Sequence, residues 1–326
     1  MVPRGQAYAC WFFLAIGDFW ETRSGTTVTA LTTDTSDSFL ARRPAILVEP
    51  RLRILVPFKH VPDPDHHDQI RVSPDGTTLD ASHLESKPNP FDHYALEAAL
   101  RLTEDGREPR RRRGEVVVAT VGPPEADPRL RNALATGADE ALRLEANDAH
   151  LDGRLVAHAL GVLVREVEPD LVLLGKQAVD GDNQQVGQFL AARLGWPMAT
   201  AVSVLHEQED GTLLVHRPVD GGVVRLRIAL PAVVSVDLGI VAPRAVYSRH
   251  TDPAYEYGEG VRFASLLAVR QAQRKQLATR PLTSVVPNAK PVTQYRRFVV
   301  PPNRRRRLRV ADVTELLKRL VEARVI

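Results

Sequence analysis

The stretch LVLLGKQAVDGDNQQVGQ, residues 171–188, decides the fold. Residues 171–174 are an apolar run of strand length, preceded by Asp170 and ended by Gly175, which predicts a buried strand opening into a loop. A helix is predicted over residues 184–194, because Val186, Leu190 and Leu194 recur at fours before Gly195 and Pro197 stop the pattern. Open α/β sheets use a strand, a small-residue loop and a helix N-terminus in this order to bind phosphate, since free N–H groups and the helix dipole face the anion. Without a ligand the same loop is ordinary Gly/Asp/Asn turn chemistry, and neither G-x-G-x-x-G nor G-x-x-x-x-G-K-[ST] occurs in it.

On the N-terminal side the pattern alternates. Strands are expected at 53–58 (RILVPF), 115–121 (EVVVATV) and 140–144, and helices at 89–105, 128–136 and 150–167. Asn89, Pro90 and Asp92 supply an N-cap, a first-turn proline and a first-turn acid, and Gly137 a left-handed C-cap. This alternation predicts a doubly wound parallel sheet, with the residues after Val56, Thr120 and Leu174 converging on one crevice at its carboxyl edge. On the C-terminal side the period changes to two. Segments 200–205, 213–216, 223–228 and 232–237, with turns at 209–211 and 220–222, read as antiparallel hairpins.

Beyond residue 238 the order weakens. Residues 246–260 read as an irregular insertion, 266–277 as a basic helix, 281–302 as an extended Pro-rich segment and 311–323 as an amphipathic helix with Val313, Leu316, Leu317 and Leu320 on one side. Such a tail has no core of its own and reads as a docking arm. The expected organisation is a disordered or spurious leader over 1–50, a nucleotide-binding α/β domain over 51–245, an insertion and partner-recognition loop over 246–280, and the arm over 281–326.

Composition narrows the function. The 326 residues are 44% apolar and 25% charged, enough for one sizeable core, and the net charge is only +3. The basic runs 110–113 and 304–307 lack interleaved aromatics and read as solvated loops, not a nucleic-acid groove. Cys10, the single cysteine, excludes an internal disulfide, a Cys-ligated zinc site and an iron–sulfur cluster, and fits a reducing compartment. The apolar stretch 7–16 is too short to span a membrane. Asp63, Asp65, His66, His67 and Asp68 are neighbours in a Pro-rich loop, a poor arrangement for converging on one metal ion.

Taken together, RILVPFKHV, KPNPFDHYALEAALRL, ATGADEAL, DLVLLGKQAVDGD, VDGGVVRLRIALPAVVSVDL and the ending ADVTELLKRLVEARVI resemble the beta subunit of electron transfer flavoprotein, in family order from about residue 51 onward. The resemblance implies a Rossmann-like, adenine nucleotide alpha-hydrolase-like fold with antiparallel hairpin addition and an extended C-terminal arm. It implies a soluble bacterial cytoplasmic electron carrier, not an enzyme with its own turnover, paired with an alpha subunit that carries the redox-active FAD. The expected partners are acyl-CoA or related dehydrogenases and electron transfer flavoprotein–quinone oxidoreductase.

In this family the beta subunit holds a structural AMP. The corresponding positions here are Pro57, Asn89, Val121, Gly175, Gln177, Ala178, Asp180, Asp182, Asn183, Gln184, Gln185, Val186, Gly187 and Gln188. VRFASLLAVRQAQRK resembles the dehydrogenase-recognition loop, with Leu266 as its anchor. The Asp-Gly-Asp and Val-Gly of the nucleotide loop equally resemble the electron-bifurcating branch, whose beta subunit holds FAD. The rival class, a stand-alone adenine-nucleotide enzyme on a similar sheet, would need a glycine-rich phosphate loop after the first strand, where Pro57-Phe58-Lys59-His60 has no glycine.

Overall fold

Ile54 and Val56 face one side of a sheet and Leu55 the other, and all three are fully buried. A strand apolar on both faces must be covered on both, which is the condition of a parallel sheet between two helix layers. The computed structural model describes residues 51–107, 111–300 and 309–326. The expected leader, Cys10, Arg110 and the basic run 304–307 lie outside the described residues. Among the described residues, those from 51 to 65 with those from 85 to 293 form one unit, and those from 66 to 84 with those after 293 a second.

In chain order the strands and helices are β1 (Arg53–Pro57), β2 (His60–Pro62), β3 (Arg71–Val72), β4 (Leu79–Asp80), β5 (Ser86–Pro88), α1 (Pro90–Leu102), β6 (Glu115–Gly122), α2 (Asp127–Thr136), β7 (Glu140–Glu145), α3 (Gly153–Val167) and β8 (Leu171–Gly175). There follow α4 (Val186–Leu194), β9 (Met198–Val202), β10 (Val204–Glu207), β11 (Leu213–Val219), β12 (Gly222–Ile228), β13 (Ala232–Val236), β14 (Val246–Tyr247), α5 (Leu266–Ala272), β15 (Leu277–Pro281), α6 (Leu282–Val285) and α7 (Val313–Glu322).

Seven strands in the order β15-β7-β6-β1-β8-β13-β9 make the central sheet, and every pairing in it is parallel. The helices α1 and α2 cover the face of Ile54 and Val56, and α3 and α4 the face of Leu55. The helix after β1 and the helix after β8 thus lie on opposite faces of neighbouring strands, and β1/β8 is the switch point of the sheet. The expected doubly wound architecture is present.

Four differences from the sequence reading have physical causes. The segment 200–205 is two strands: Ala201 takes a left-handed φ of 52°, after which β10 leaves the parallel sheet for the four-stranded sheet β12-β11-β10-β14. The strand β13 is no hairpin arm. Its AVVSV is buried at every residue and lies parallel between β8 and β9, as a continuous apolar run demands. The helix read over 266–277 is shorter, starting at the N-cap Ser265, whose Oγ accepts from the Ala268 N–H, and the chain then adds β15 as a sheet edge beside β7. Leu282 and Val286, read as part of an extended arm, are buried in the α3–α4 core instead.

The stretch read as an insertion is anchored by the end of α1. Arg101, only 1% exposed, donates to Glu97 and to the carbonyls of Val241, Ala242, Gly258 and Gly260, with the Tyr257 ring 5.0 Å from its guanidinium. Arg262 donates to both oxygens of Glu97 and both of Glu104, at 2.7–3.2 Å. Burial by itself raises the Glu97 pKa, but the hydrogen bonds and charges of Arg262 and Arg101 hold it below the ordinary value. Arg112, in the other basic run, bonds Asp139 at 2.8 Å and the Gly137 carbonyl at 2.9 Å.

In the second unit, Asp75 accepts from Ser73 Oγ and from the N–H and Oγ of Thr77 to close the β3–β4 turn. These bonds lower its pKa to about 2. The Asp312 carboxylate caps α7 at the Glu315 N–H and Glu315 returns a bond to the Ala311 N–H, a capping box. Val313, Leu316 and Leu317 are exposed along this helix.

Replacing Arg262 by Met leaves Glu97 and Glu104 buried without their shared cation. The expected loss is about 3 kcal/mol of unfolding free energy by urea titration, and a loss below about 1 kcal/mol would show that the carboxylates find other partners.

Candidate functional site

The carboxyl ends of β6, β1 and β8 lie side by side, so Val121, Pro57 and Gly175 line one sheet edge at the switch point. The N-terminus of α1 closes that edge. Asn89 is 1% exposed and is the backbone N-cap residue of α1, yet its side chain does not cap. It reaches the loop after β8, donating from Nδ2 to the Gln177 carbonyl at 2.8 Å and accepting at Oδ1 from the Val179 N–H at 3.2 Å. The capping role read from the sequence is therefore replaced by a cross-link between loops.

Asp92, three residues on, does the same for the strands. One carboxylate oxygen accepts from the Lys59 N–H at 2.9 Å, after β1, and the other from the Gly175 N–H at 3.1 Å, at the end of β8. Burial raises its pKa to about 7, against the opposing effect of the hydrogen bonds from Lys59, Asn89 and Gly175. Gly175 is required by this packing, since a Cβ there would lie 2.5 Å from Asp92 Oδ1 and 2.6 Å from Phe91 Cβ.

The loop itself is braced from within. Gln184 donates to Gln177 Oε1 at 2.8 Å, Gln177 donates to Asp182 Oδ1 at 2.7 Å, and Lys59 Nζ pairs with Asp180 at 2.6 Å. Gln185 lies against Gly153 at the start of α3, where an added Cβ would come within 3.2 Å of it. Asp182 and Gln184 have φ of 49° and 51°, alternating with ordinary residues, the backbone form that turns successive N–H groups inward. The Asp182 N–H is spent on the Ala178 carbonyl at 2.8 Å. Those of Gln184, Gln185 and Val186 carry no hydrogen bond among the described residues.

These donors lead into α4, which starts at Val186, two residues later than the sequence predicts. Gly187 is buried, and a Cβ on it would meet Met198 Cε at 3.0 Å and Leu174 Cδ1 at 3.2 Å, so its absence lets α4 seat on the sheet. Ala178, Asn183 and Gln188 belong to the same loop and first turn, with Asn183 and Gln188 exposed.

Two side chains beside this edge carry no local sequence signal. His60 Nε2 lies 3.0 Å from Asp148 Oδ2, and its buried Nδ1 has no partner among the described residues, next to Gly122 at the end of β6. Asp148 is far away in sequence, so only the fold brings the pair together. In the acidic and His-rich stretch 63–68, Asp63 and Asp65 face Lys87 at 2.7 and 3.7 Å. Leu266 is elsewhere, at the first turn of α5. It is 83% exposed beside Phe263 at 90% and Leu267 at 66%, which rules out a core position.

Fold and site together define a doubly wound α/β protein whose candidate ligand crevice sits at the switch point of its sheet. Residues 77–280 match the electron transfer flavoprotein domain. The chain is 34% identical over 269 residues to the electron transfer flavoprotein subunit beta of Bradyrhizobium diazoefficiens, covering 82% of this chain and 97% of that one. It is 34% identical over 270 residues to the mitochondrial subunit beta of Arabidopsis thaliana, with the same coverage. The subunit beta of Homo sapiens is 40% identical over 196 residues, 59% of this chain and 74% of that one. This chain belongs to the electron transfer flavoprotein subunit beta family.

The folded chain keeps a proton on Asp92 up to about pH 7, whereas an unfolded aspartate loses it near pH 4. The stability this group contributes is therefore full below about pH 4 and declines as pH rises toward 7. In Asp92→Asn the amide nitrogen must face an N–H donor, of Lys59 or Gly175, with an expected cost of about 1–3 kcal/mol at pH 5. Urea unfolding at pH 5 and pH 8 should show that difference and a flatter pH dependence in the variant. An unchanged slope would assign the titration to another group.

Proposed function

We propose that this chain is the beta subunit of an electron transfer flavoprotein heterodimer, with AMP in the crevice at the β1/β8 switch point. The alpha subunit carries the redox-active FAD on this reading. The complex accepts electrons from dehydrogenases such as those acting on acyl-CoA and delivers them to a quinone-linked oxidoreductase. The single cysteine, Cys10, agrees with a reducing compartment, here the bacterial cytoplasm. No helix among the described residues is long and apolar enough to cross a membrane.

The observation that carries the nucleotide reading is the unspent set of N–H groups at Gln184, Gln185 and Val186, at the positive end of α4. A phosphate suits these donors, and Nδ1 of His60, without a partner among the described residues, is a second polar group at the same sheet edge. Pro57, Asn89, Val121, Gly175, Gln177, Ala178, Asp180, Asp182, Asn183, Gly187 and Gln188 shape the remainder. Asn89 and Asp92 hold the loop in place whether or not a ligand is bound, because their bonds go to backbone.

Mass spectrometry of the nucleotide released by denaturing the purified complex tests the reading. One AMP per beta subunit is the expected result. A second FAD per heterodimer would move the protein to the electron-bifurcating type, and no nucleotide at all would reject the site. Gly187→Val should remove the nucleotide, because its side chain would push α4 off Leu174 and Met198.

The exposed trio Phe263, Leu266 and Leu267 has the composition of a docking anchor, flanked by Arg262 and Arg270. Leu266→Ala should leave the melting temperature and flavin content unchanged. Reduction by the cognate dehydrogenase at subsaturating concentration should slow, by about tenfold or more for an anchor worth roughly 2 kcal/mol. A normal rate would place the dehydrogenase contact elsewhere on the chain.

A further inference from the structure

The outer faces of α3 and α4 and the segment 286–292 line a half-open cavity of about 420 Å³. Its size is that of a small-molecule site. Its near end adjoins the crevice, since Gln185 packs on Gly153 between Asp152 and Arg154, but it opens on the other face of α4: Gly187 and Leu190 are buried, whereas Phe189 and Arg193, one turn apart, are exposed on the cavity side. Arg154 and His158 line it from α3 and Lys290 from the segment above.

The charge around this cavity is unbalanced. Arg154, Arg193 and Lys290 line it with no ion pair among the described residues. The one carboxylate lining the cavity, Asp152, is committed to backbone. It caps α3 at the Leu155 N–H at 2.8 Å and holds the overlying segment through the N–H groups of Val292 and Thr293 at 2.7 and 2.8 Å. His158 reports the same excess: its pKa is lowered first by burial and then by Arg193, Arg165 and Arg154. Two guanidinium forks and an ammonium lining one cavity are the donor chemistry that phosphate oxygens accept from, and the half-exposed Phe189 ring offers a face for a planar ring.

We propose that this cavity binds a small phosphate-bearing molecule of the nucleoside phosphate class, at a second site beside the crevice. Arg154, Arg193 and Lys290 hold the phosphate and Phe189 the base.

The test uses the full-length protein as purified with its co-purifying subunit, titrated calorimetrically with ADP and, separately, with inorganic pyrophosphate. One saturable ADP site per chain is expected, beyond any nucleotide released only on denaturation. The double change Arg193→Glu and Lys290→Glu should weaken it about tenfold or more while leaving the released nucleotide and the melting temperature unchanged. Phe189→Ala should weaken ADP and leave pyrophosphate unaffected. No saturable uptake at millimolar ADP, or uptake indifferent to the charge reversal, would overturn the site. Pyrophosphate binding as tightly as ADP would overturn the nucleoside class. Cross-linking of Lys290 to an acidic residue of the co-purifying subunit, with no ADP uptake, would overturn the small-molecule reading in favour of a protein contact.

Discussion

The Asp92 carboxylate is the bond on which the rest of the site depends. It joins the Lys59 N–H, leaving β1, to the Gly175 N–H, ending β8, across the point where the sheet reverses its winding. The strands must diverge there, because the chain leaving β1 builds helices on one face and the chain leaving β8 builds α4 on the other. Backbone groups at such a divergence have no ladder partner and need a side chain. A buried acid with two acceptors supplies both bonds at once, and Asn89 extends the brace to Gln177 and Val179. The crevice is consequently preformed, which lowers the ordering cost of binding.

The same helix organises the other end of the molecule's first unit. Further along α1 from Asp92, Glu97 and Arg101 begin a buried charge network that takes in Glu104 and Arg262. Buried charges add little net stability by themselves, but an unpaired one is costly, so such a network selects one arrangement over its alternatives. Here it sets the path of residues 246–262 and the point from which Phe263 and α5 project. Phe263, Leu266 and Leu267 are exposed, and the point from which they project is held by four charge-assisted bonds. A rigid base beneath an exposed apolar tip is what a docking element requires.

Two groups stand out among the exposed apolar side chains of the described residues. Phe263, Leu266 and Leu267 form one group, and Val313, Leu316, Leu317 and Val321 on α7 another. Leu266 and Leu267 follow the capped start of α5 at Ser265 and the second group that of α7 at Asp312, so their exposure belongs to formed helices, whereas Phe263 lies two residues before the α5 cap. On the proposed function the first group meets a dehydrogenase and the second an alpha subunit.

Much of the architecture was legible in the sequence because it follows from local rules. The apolar runs at 53–58, 115–121 and 171–174, separated by helical periodicity, require a parallel sheet covered on both faces, and the small-residue loop after Leu174 marks its ligand edge. What the sequence left undetermined depends on partners distant in the chain. AVVSV is apolar enough for any buried strand, and only its neighbours β8 and β9 make it parallel. LATRP carries no strand period, and becomes β15 because the edge of β7 offers unpaired backbone groups. Asn89 has the composition of a cap and Asp92 that of a first-turn acid, but burial beside β8 turns both into cross-links. His60 and Asp148 meet only when β1, β6 and β7 are side by side. Periodicity and turn chemistry act within a few residues, so they specified the elements and their order. Desolvation acts on whatever the fold brings together, so the tertiary structure alone decided which polar groups had to find each other.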